Sequence, residues 1–248
     1  MNQKIVIVGA TSAIAEYCVR IWVAESPKNI VLLGRNQERV DRVARDLRVR
    51  SLKSTILVNI VDFEDSEKIQ TSVDEVCISG VPDIVLIAHG SLPDQNECQK
   101  NLETNKQAIE LNGISPILFA EAFATHMERA NKGSLAIIGS VAGDRGRKSN
   151  YVYGSAKGLV TRYAQGLQHR LAGTNVKVTL IKPGPTDTPM TSMLKIKGVA
   201  LAPVDQVAKK IVKGIASGKY VVYAPKKWEI IMMLIRHLPR FIFNKMEI

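Results

Sequence analysis

The chain has 248 residues, of which 46% are hydrophobic and 23% charged, and its formal net charge is +11. This length fits one sizeable α/β domain, and the composition excludes a disordered or fibrous protein. The three cysteines, Cys18, Cys77 and Cys98, are scattered and form no C-x-x-C pair. They indicate a reducing compartment and structural thiols, and no metal site is expected.

Seven short runs of β-branched and apolar residues are predicted as strands, at residues 5–8, 30–33, 55–58, 84–87, 135–138, 176–181 and 220–223. Segments with apolar residues at three- and four-residue spacing separate them, which is the helical period. This alternation predicts right-handed βαβ units, so the expected fold is a single-domain, doubly wound (Rossmann) parallel sheet with helices on both faces. Such sheets bind ligands at the carboxyl ends of their strands.

The first strand is followed by "GATSAIA", at the place where a dinucleotide-binding fold has its phosphate loop. Gly9 is the only glycine, and Ala13 and Ala15 take the later glycine positions. Alanine adds one methyl group and leaves the helix N-terminal N–H groups and dipole in place. We expect Thr11 and Ser12 to cap this helix and to offer hydroxyls to phosphate. The predicted cradle comprises Gly9, Thr11, Ser12, Ala13 and Ile14.

The second strand ends in "LLGRNQERV", which lacks the acidic residue that takes the ribose 2′-hydroxyl of NAD about 20 residues beyond the first glycine. Gly34 is expected to leave room there. Arg35 can pair with a 2′-phosphate through its guanidinium, and Arg39 lies one helical turn further on. The alternative is a solvated Arg35 at a helix start. The pattern predicts a preference for NADP(H) over NAD(H).

The motif that carries chemistry is "SNYVYGSAKGL" at residues 149–159. Tyr153 and Lys157 are four apart in a helical stretch and project from one face. An ammonium nearby, together with a cationic nicotinamide, should lower the pKa of the tyrosine from its usual ~10. Ser140 follows the fifth strand and can hydrogen-bond a carbonyl. Asn112 on a neighbouring helix can hold a water against Lys157.

In these residues the chain resembles a short-chain dehydrogenase/reductase over nearly its whole length. The family's Asn-Ser-Tyr-Lys tetrad falls on Asn112, Ser140, Tyr153 and Lys157. The resemblance implies an NAD(P)-dependent oxidoreductase in which Tyr153 is the general acid when a ketone is reduced. Lys157 would also bind the nicotinamide ribose, Ser140 would polarise the carbonyl, and Asn112 would anchor a proton-relay water.

The resemblance also implies further cofactor contacts. Asn59 and Ile60 stand where relatives read Asp-Val beside the adenine, and Ala88, His89 and Gly90 replace Asn-Ala-Gly after the fourth strand. His89 is expected to pack near the cofactor and not to act as an acid or base. The segment "KPGPTDTPM" resembles the Pro-Gly turn beside the nicotinamide and contributes Pro183, Gly184, Thr186 and Thr188, the last at the carboxamide position.

Most of the excess positive charge lies at the end of the chain. From Lys195 onwards there are 11 lysines and arginines against 3 acids, a net charge of +8. The tail at residues 225–248 mixes these bases with an apolar run that Pro239 interrupts. It is an amphipathic segment for an anionic bilayer surface, or it packs across a subunit interface or over the active site. No nucleic-acid-binding signature accompanies it, so no nucleic-acid partner is expected.

With "IAHGSLPDQ" and "GSVAGDRGRKSNYVYGSAK", this tail resembles one branch of the family, the decaprenylphosphoryl-2-keto-ribose reductases and related reductases of bacterial surface-polysaccharide pathways. This implies a keto-sugar substrate on a lipid or nucleotide phosphate carrier. It also implies a cytoplasmic location, at the inner face of the membrane where the tail binds lipid. Relatives commonly form dimers or tetramers through the helices that bear Asn112 and Tyr153, so a homodimer or homotetramer is expected here.

We therefore predict a dinucleotide-binding catalytic domain at residues 1–224, with a substrate lid at about residues 186–200, followed by the basic tail at residues 225–248. Two other readings stay open. One is a 3-oxoacyl reductase or a lipophilic ketone/alcohol reductase of the same fold. The other is a non-catalytic, cofactor-sensing member, although such a protein would typically have lost Tyr153 or Lys157.

Overall fold

The computed structural model describes residues 2–196 and 198–246. The predicted lid and tail therefore include positions, Lys197 and the last two residues, that lie outside the described residues, as does Met1. All seven predicted strands are confirmed, and every pairing between them is parallel. The strands are β1 Gln3–Val8, β2 Lys28–Gly34, β3 Thr55–Ile60, β4 Ile84–Ile87, β5 Ser134–Ile138, β6 Lys177–Pro183 and β7 Val221–Ala224.

The helices follow the strands in the order that the sequence predicts. They are α1 Ala13–Glu25, α2 Gln37–Arg50, α3 Ser66–Ile78, α4 Gln95–Lys100, α5 Leu102–Ile109, α6 Ser115–Ala130, α7 Tyr151–Arg170, α8 Ser192–Ile196, α9 Val204–Ala216, α10 Lys227–His237 and α11 Arg240–Phe243. Helices α1, α2 and α9 cover one face of the sheet, and α3, α6 and α7 cover the other. The strands are buried on both faces for this reason.

The strand order is β3-β2-β1-β4-β5-β6-β7, so the chain changes direction across the sheet between β1 and β4. The loops after these two strands diverge to opposite faces, which opens a crevice at the carboxyl edge. The protein is a single-domain α/β Rossmann fold, as predicted. Among the described helices, none combines the length and the apolar character that crossing a membrane requires.

The C-terminal helices pack on the edge of the sheet close to this crevice. Met232, on the inner face of α10, is fully buried against Val141 and Tyr223, and Trp228 and Ile235 pack beside it. The spacing of Trp228, Met232 and Ile235 follows the helical period, which makes α10 an amphipathic helix docked on its own chain.

Candidate active site

A cleft of about 150 Å³ opens at the carboxyl edge of the sheet. It brings together the four predicted tetrad residues, Asn112, Ser140, Tyr153 and Lys157. Nine of the predicted cofactor residues also line it, in addition to Tyr153 and Lys157. They are Ser12, Ile14, Ala88, His89, Gly90, Pro183, Gly184, Thr186 and Thr188.

Helix α7 carries Tyr153 and Lys157 on its first turns, and both side chains face this cleft. The Lys157 Nζ atom donates to the carbonyl of Ile138 at 3.1 Å and lies 5.9 Å from the centre of the Tyr153 ring. Burial lowers the pKa of Lys157 to about 8. The lysine therefore remains a cation at neutral pH, but only by a small margin.

The expected fall in the pKa of Tyr153 depends on a cationic nicotinamide as well as on Lys157, and it stays a prediction for the cofactor complex. Burial raises the pKa of the phenol, and the hydrogen bond with Ser140 opposes that rise without cancelling it. Lys157 does not touch the phenol, because its ammonium points to a backbone carbonyl. Tyr153 is therefore a neutral phenol at pH 7, the form that can donate a proton.

A tight contact with α7 fixes the loop that follows Ser140. This loop begins with a 3₁₀ turn, Val141–Asp144, and the Ser140 Oγ accepts from the Ala142 N–H at 3.1 Å. A Cβ atom on Gly143 would lie 2.6 Å from the Lys157 carbonyl oxygen. Only glycine allows the loop to approach α7 this closely, and that approach sets Ser140 opposite Tyr153.

Asn112 lies in a π-helical turn, Glu110–Ile114, between α5 and α6. Its side chain is fully buried. The Oδ1 atom accepts from the Ser91 N–H at 2.8 Å, and the Nδ2 atom donates to the Ala108 carbonyl at 2.9 Å. A π turn frees backbone groups from the regular helical pattern and often occurs at functional sites. The sequence placed Asn112 on a plain helix, since nothing in its period marks the extra residue.

The phosphate loop has the shape that the sequence predicts, with one correction. Gly9 adopts φ +83°, and its N–H and that of Ala10 both donate to the Leu33 carbonyl. Ser12 takes the N-cap position of α1, but its side chain makes no capping bond. Capping by Thr11 or Ser12 is therefore not observed, because the Ser12 side chain faces the cleft instead. The loop suits a pyrophosphate, since the N-terminal N–H groups of α1 lack intrahelical partners.

His89 is a packing residue, as expected. It is buried between Phe63 and Phe119, with ring centres 4.6 and 5.6 Å away. Its Nε2 atom lies 2.9 Å from the Ser115 hydroxyl. Burial, and to a lesser extent the charges of Lys157 and Arg35, hold the pKa of His89 well below its usual value. The imidazole is therefore neutral at pH 7.

Arg35 lies beyond the cleft, at the end of β2. Its guanidinium lies 3.5 Å from the Glu64 carboxylate and 6.0 Å from the centre of the Phe63 ring, and about half of the side chain is exposed. The idea that Gly34 leaves room for the cofactor is wrong. A Cβ atom there would lie 2.4 Å from Val40 Cγ2, so the missing side chain admits α2.

Asn59 and Ile60 lie apart from the main cleft, in a shallow groove between β3 and α3. The Asn59 Nδ2 atom donates to the Ser72 hydroxyl at 3.0 Å, so its side chain turns towards α3. The adenine role of these two residues stays a prediction. Nothing in the sequence signals a role for Phe63, which lies three residues beyond Ile60. Phe63 lies beneath Arg35 and against His89.

The Pro-Gly turn after β6 is held by its threonines. The buried Thr186 hydroxyl donates to the Gly184 carbonyl at 2.9 Å, and the Thr191 hydroxyl donates to the Thr186 carbonyl. Thr188 begins a 3₁₀ turn, Pro189–Thr191, within the predicted lid. The Thr188 N–H donates to the Thr191 hydroxyl at 3.2 Å, and the two hydroxyls lie 3.3 Å apart. Thr186, Thr188 and Thr191 all line the cleft.

The loop between Ser140 and Tyr153 also holds the C-terminal tail, which the sequence left open between several sites. Arg145 donates to the carbonyls of Ile235 and Leu238, and its guanidinium lies 3.8 Å from the centre of the Phe243 ring. Within one chain, the tail thus packs beside the active site, which is close to one of the three alternatives given above, packing over that site.

Behind this loop lies a buried ion pair that no sequence motif signals. Lys182 pairs with Asp144, and the Tyr223 hydroxyl donates to the same carboxylate at 2.8 Å. The two charged side chains are 4% and 2% exposed. The three residues come from β6, the loop and β7, so their meeting depends on the fold. Across residues 2–196 and 198–246, no cluster of His, Cys, Asp or Glu could hold a metal ion.

Comparisons with known proteins identify the family of this chain. Residues 3–197 match the family profile for short chain dehydrogenases. An uncharacterised oxidoreductase of Streptomyces coelicolor is 26% identical to this chain over 99% of it and 96% of its own length.

Two solved structures show the same fold. A short-chain dehydrogenase from Sphingobium yanoikuyae in complex with NADPH has a TM-score of 0.82, at 20% identity over 96% of this chain and 97% of that chain. A short chain dehydrogenase from Burkholderia cenocepacia in complex with NADP has a TM-score of 0.83, at 14% identity over 100% and 98%. Together with the profile match and the tetrad, they lead to one conclusion: the chain belongs to the short-chain dehydrogenase/reductase family and is an NAD(P)-dependent enzyme.

Proposed function

We propose that this enzyme uses NADPH to reduce a ketone, a keto-sugar on a lipid or nucleotide phosphate carrier, to an alcohol. The observation that carries the proposal is the convergence of Tyr153, Ser140 and Lys157 on one cleft beneath the phosphate loop. Bound NADPH supplies the hydride. The phosphate loop and the Pro-Gly turn hold the cofactor, and the tetrad handles the carbonyl.

The proton in this reaction comes from Tyr153. A ketone oxygen gains negative charge as the carbonyl is reduced, and the neutral phenol donates its proton to that oxygen. The Ser140 hydroxyl donates a second hydrogen bond to the same oxygen. The phenolate that remains is stabilised by the Lys157 ammonium, whose positive charge lies 5.9 Å from the ring centre. Reprotonation of Tyr153 from solvent, through water held near Asn112, completes the cycle.

The cofactor preference rests on Arg35. The residue directly after β2 is Arg35 in place of an acid that would bind a ribose 2′-hydroxyl, and its exposed guanidinium can exchange Glu64 for a 2′-phosphate. Replacing Arg35 with Ala should lower the ratio of kcat/KM for NADPH to kcat/KM for NADH at least tenfold. Arg48→Ala, on the far end of α2, is the matched control. An unchanged ratio in Arg35→Ala would overturn the preference.

We further propose that the tail contacts an anionic bilayer. Trp228, Met232 and Ile235 face inwards, whereas Ile230 and Leu234 on the opposite face of α10 are 63% and 60% exposed. Phe241 on α11 is 70% exposed. The bases of this segment are Lys226, Lys227, Arg236, Arg240 and Lys245, against two acids, Glu229 and Glu247. Apolar side chains beside cations suit the interface of a negatively charged membrane.

Vesicle flotation tests the membrane contact without removing the tail. The wild type should float with phosphatidylglycerol vesicles and much less with phosphatidylcholine vesicles. Ile230→Glu with Leu234→Glu should abolish flotation. Leu52→Glu is the control, because Leu52 is 91% exposed just before β3, at the opposite edge of the sheet. Equal flotation of the two variants would exclude this contact.

We also propose a homodimer or homotetramer, on the basis of exposed apolar side chains. The helices around Asn112 and Tyr153 leave four apolar side chains exposed, Leu102, Ile114, Tyr151 and Leu159. A second copy packed on α5, α6 and α7 would bury them. Light scattering should give at least twice the monomer mass, and Leu159→Arg should lower it. A monomeric wild type would end the proposal.

A substrate panel with NADPH tests the reaction itself. Keto-sugars linked to prenyl phosphate or to a nucleotide diphosphate should support turnover, with kcat/KM at least tenfold above that for a 3-oxoacyl thioester or a lipophilic ketone. The reverse order would favour the alternative reductases named above. No turnover with any ketone would remove the reductase proposal.

A further inference from the structure

We propose that Arg147, with Asn150 beside it, forms the subsite that binds an anionic phosphoryl group of the substrate. This inference rests on the proposed function, because it assigns the residue that recognises the phosphate of the carrier. It concerns the substrate side of the cleft, and the cofactor's pyrophosphate belongs to the N-terminus of α1.

Arg147 lines the cleft together with Asn150, Tyr153 and Leu194. It lies in the loop between Ser140 and Tyr153, the two residues proposed to hold the substrate oxygen. One end of its guanidinium is held in place by the chain itself. The Nη2 atom lies 3.5 Å from the Val141 carbonyl and 3.6 Å from the Met232 sulfur on α10. Both contacts are long, so the hydrogen-bonding capacity of the guanidinium is largely unused.

Two polar atoms at this spot are buried and lack partners in the part of the chain that the structure describes. They are the Nε atom of Arg147 and the Oδ1 atom of Asn150. An unpaired buried donor destabilises a fold, and a charged donor does so more strongly. Burial also lowers the pKa of Arg147. A fold that carries this cost at a cleft wall fits a site whose ligand supplies the missing acceptor.

The neighbouring charges leave Arg147 without a carboxylate of its own. Asp144, the nearby acid, is taken by Lys182 and by the Tyr223 hydroxyl. Arg145 donates its hydrogen bonds to the carbonyls at the end of α10. Among residues 2–196 and 198–246, Arg147 makes no ion pair, and Asp144, whose charge favours the guanidinium from a distance, pairs with Lys182. The local field therefore attracts an anion.

A phosphoryl group fits this site chemically. Its oxygens accept from the Nε–H and Nη–H fork of a guanidinium, which is the donor geometry that arginine presents to phosphate. A tetrahedral phosphate monoester and the diester of a carrier share this chemistry. The amide of Asn150 can take a hydroxyl of the sugar or carrier through its free Oδ1 atom.

The test measures binding of methyl phosphate and of dimethyl phosphate to the enzyme saturated with NADP⁺, by isothermal titration calorimetry. Saturation with cofactor closes the phosphate sites at α1 and Arg35. The wild type should bind at least one of the two esters, the monoester for a terminal phosphate or the diester for a linked carrier. Arg147→Met should raise that Kd at least tenfold, and Arg147→Lys should recover part of the loss.

Lys132→Met is the matched control, since Lys132 is an exposed cation before the amino end of β5, and its Kd for the ester should equal that of the wild type. An unchanged NADPH Kd shows that Arg147→Met is folded. Equal ester affinity in Arg147→Met and wild type, or no ester binding by the wild type, would overturn the subsite. Ketone turnover in the substrate panel is read separately, so a failure of the proposed function is distinguishable from a failure of the subsite.

Discussion

Trp228 of α10 lies directly against Gly184 in the turn after β6: a Cβ atom on Gly184 would come within 2.0 Å of the Trp228 Nε1 atom. Gly184 is a predicted nicotinamide-side residue that lines the cleft. The tail is thus in contact with the wall of the active site. A change in the position of the tail should therefore alter how the cleft binds the cofactor and the substrate.

Gly184→Ala should lower kcat/KM for ketone reduction about tenfold or more, because the added methyl group displaces Trp228 and the turn together. Steady-state kinetics with NADPH measures the effect. The double variant Gly184→Ala with Trp228→Ala should recover part of the loss, because the smaller side chain leaves space. If the double variant loses the full sum of both single effects, the contact does not couple the tail to the site.

The pH dependence of reduction should follow Lys157. Its pKa is lowered to about 8 by burial, so the ammonium is present below that pH and is lost as pH rises through it. Reduction also needs a neutral Tyr153 phenol, whose pKa burial raises above its usual value. We expect kcat/KM to fall by about tenfold for each pH unit above about 8. A rate that stays flat through pH 9.5 would contradict the role of Lys157.

Asp144→Asn should destabilise the protein by about 3–5 kcal/mol, because it leaves the buried Lys182 charge without its partner. Urea unfolding measures the free energy. Adding Lys182→Met should recover part of the stability, since the unpaired charge is then removed. Asp205→Asn breaks an exposed pair with Lys209 and should cost below about 1 kcal/mol. Equal losses in Asp144→Asn and Asp205→Asn would show that the buried pair contributes no more than a surface one.

The fold and the tetrad were predictable because both depend on residue patterns that are close together in the sequence. Strand–helix alternation predicts a doubly wound sheet, and such a sheet places every strand's carboxyl end at one edge. Ser140, Tyr153 and the Pro-Gly turn therefore meet without further information. The phosphate loop was predictable for the same reason, because Gly9 directly follows β1 in the sequence and adopts a positive φ there.

Features that depend on tertiary contacts were out of reach of the sequence. Asp144, Lys182 and Tyr223 are far apart along the chain, and no spacing relates them. Gly34 packs against Val40, so the absent side chain makes room for helix α2 and not for a cofactor, as its place in the sequence had suggested. The pKa of Tyr153 depends on burial and on where Lys157 points, which one helical spacing does not specify.

The most direct measurement of the central claim is NADPH-dependent ketone reduction by Tyr153→Phe, with NADPH affinity measured beside it. The substitution removes only the hydroxyl that donates the proton, and general acid catalysis contributes about 10²–10⁴-fold in rate. We predict a loss of kcat in that range, with the Kd for NADPH within about threefold of the wild type. Turnover equal to the wild type would contradict Tyr153 as the proton donor and, with it, the proposed reaction at this site.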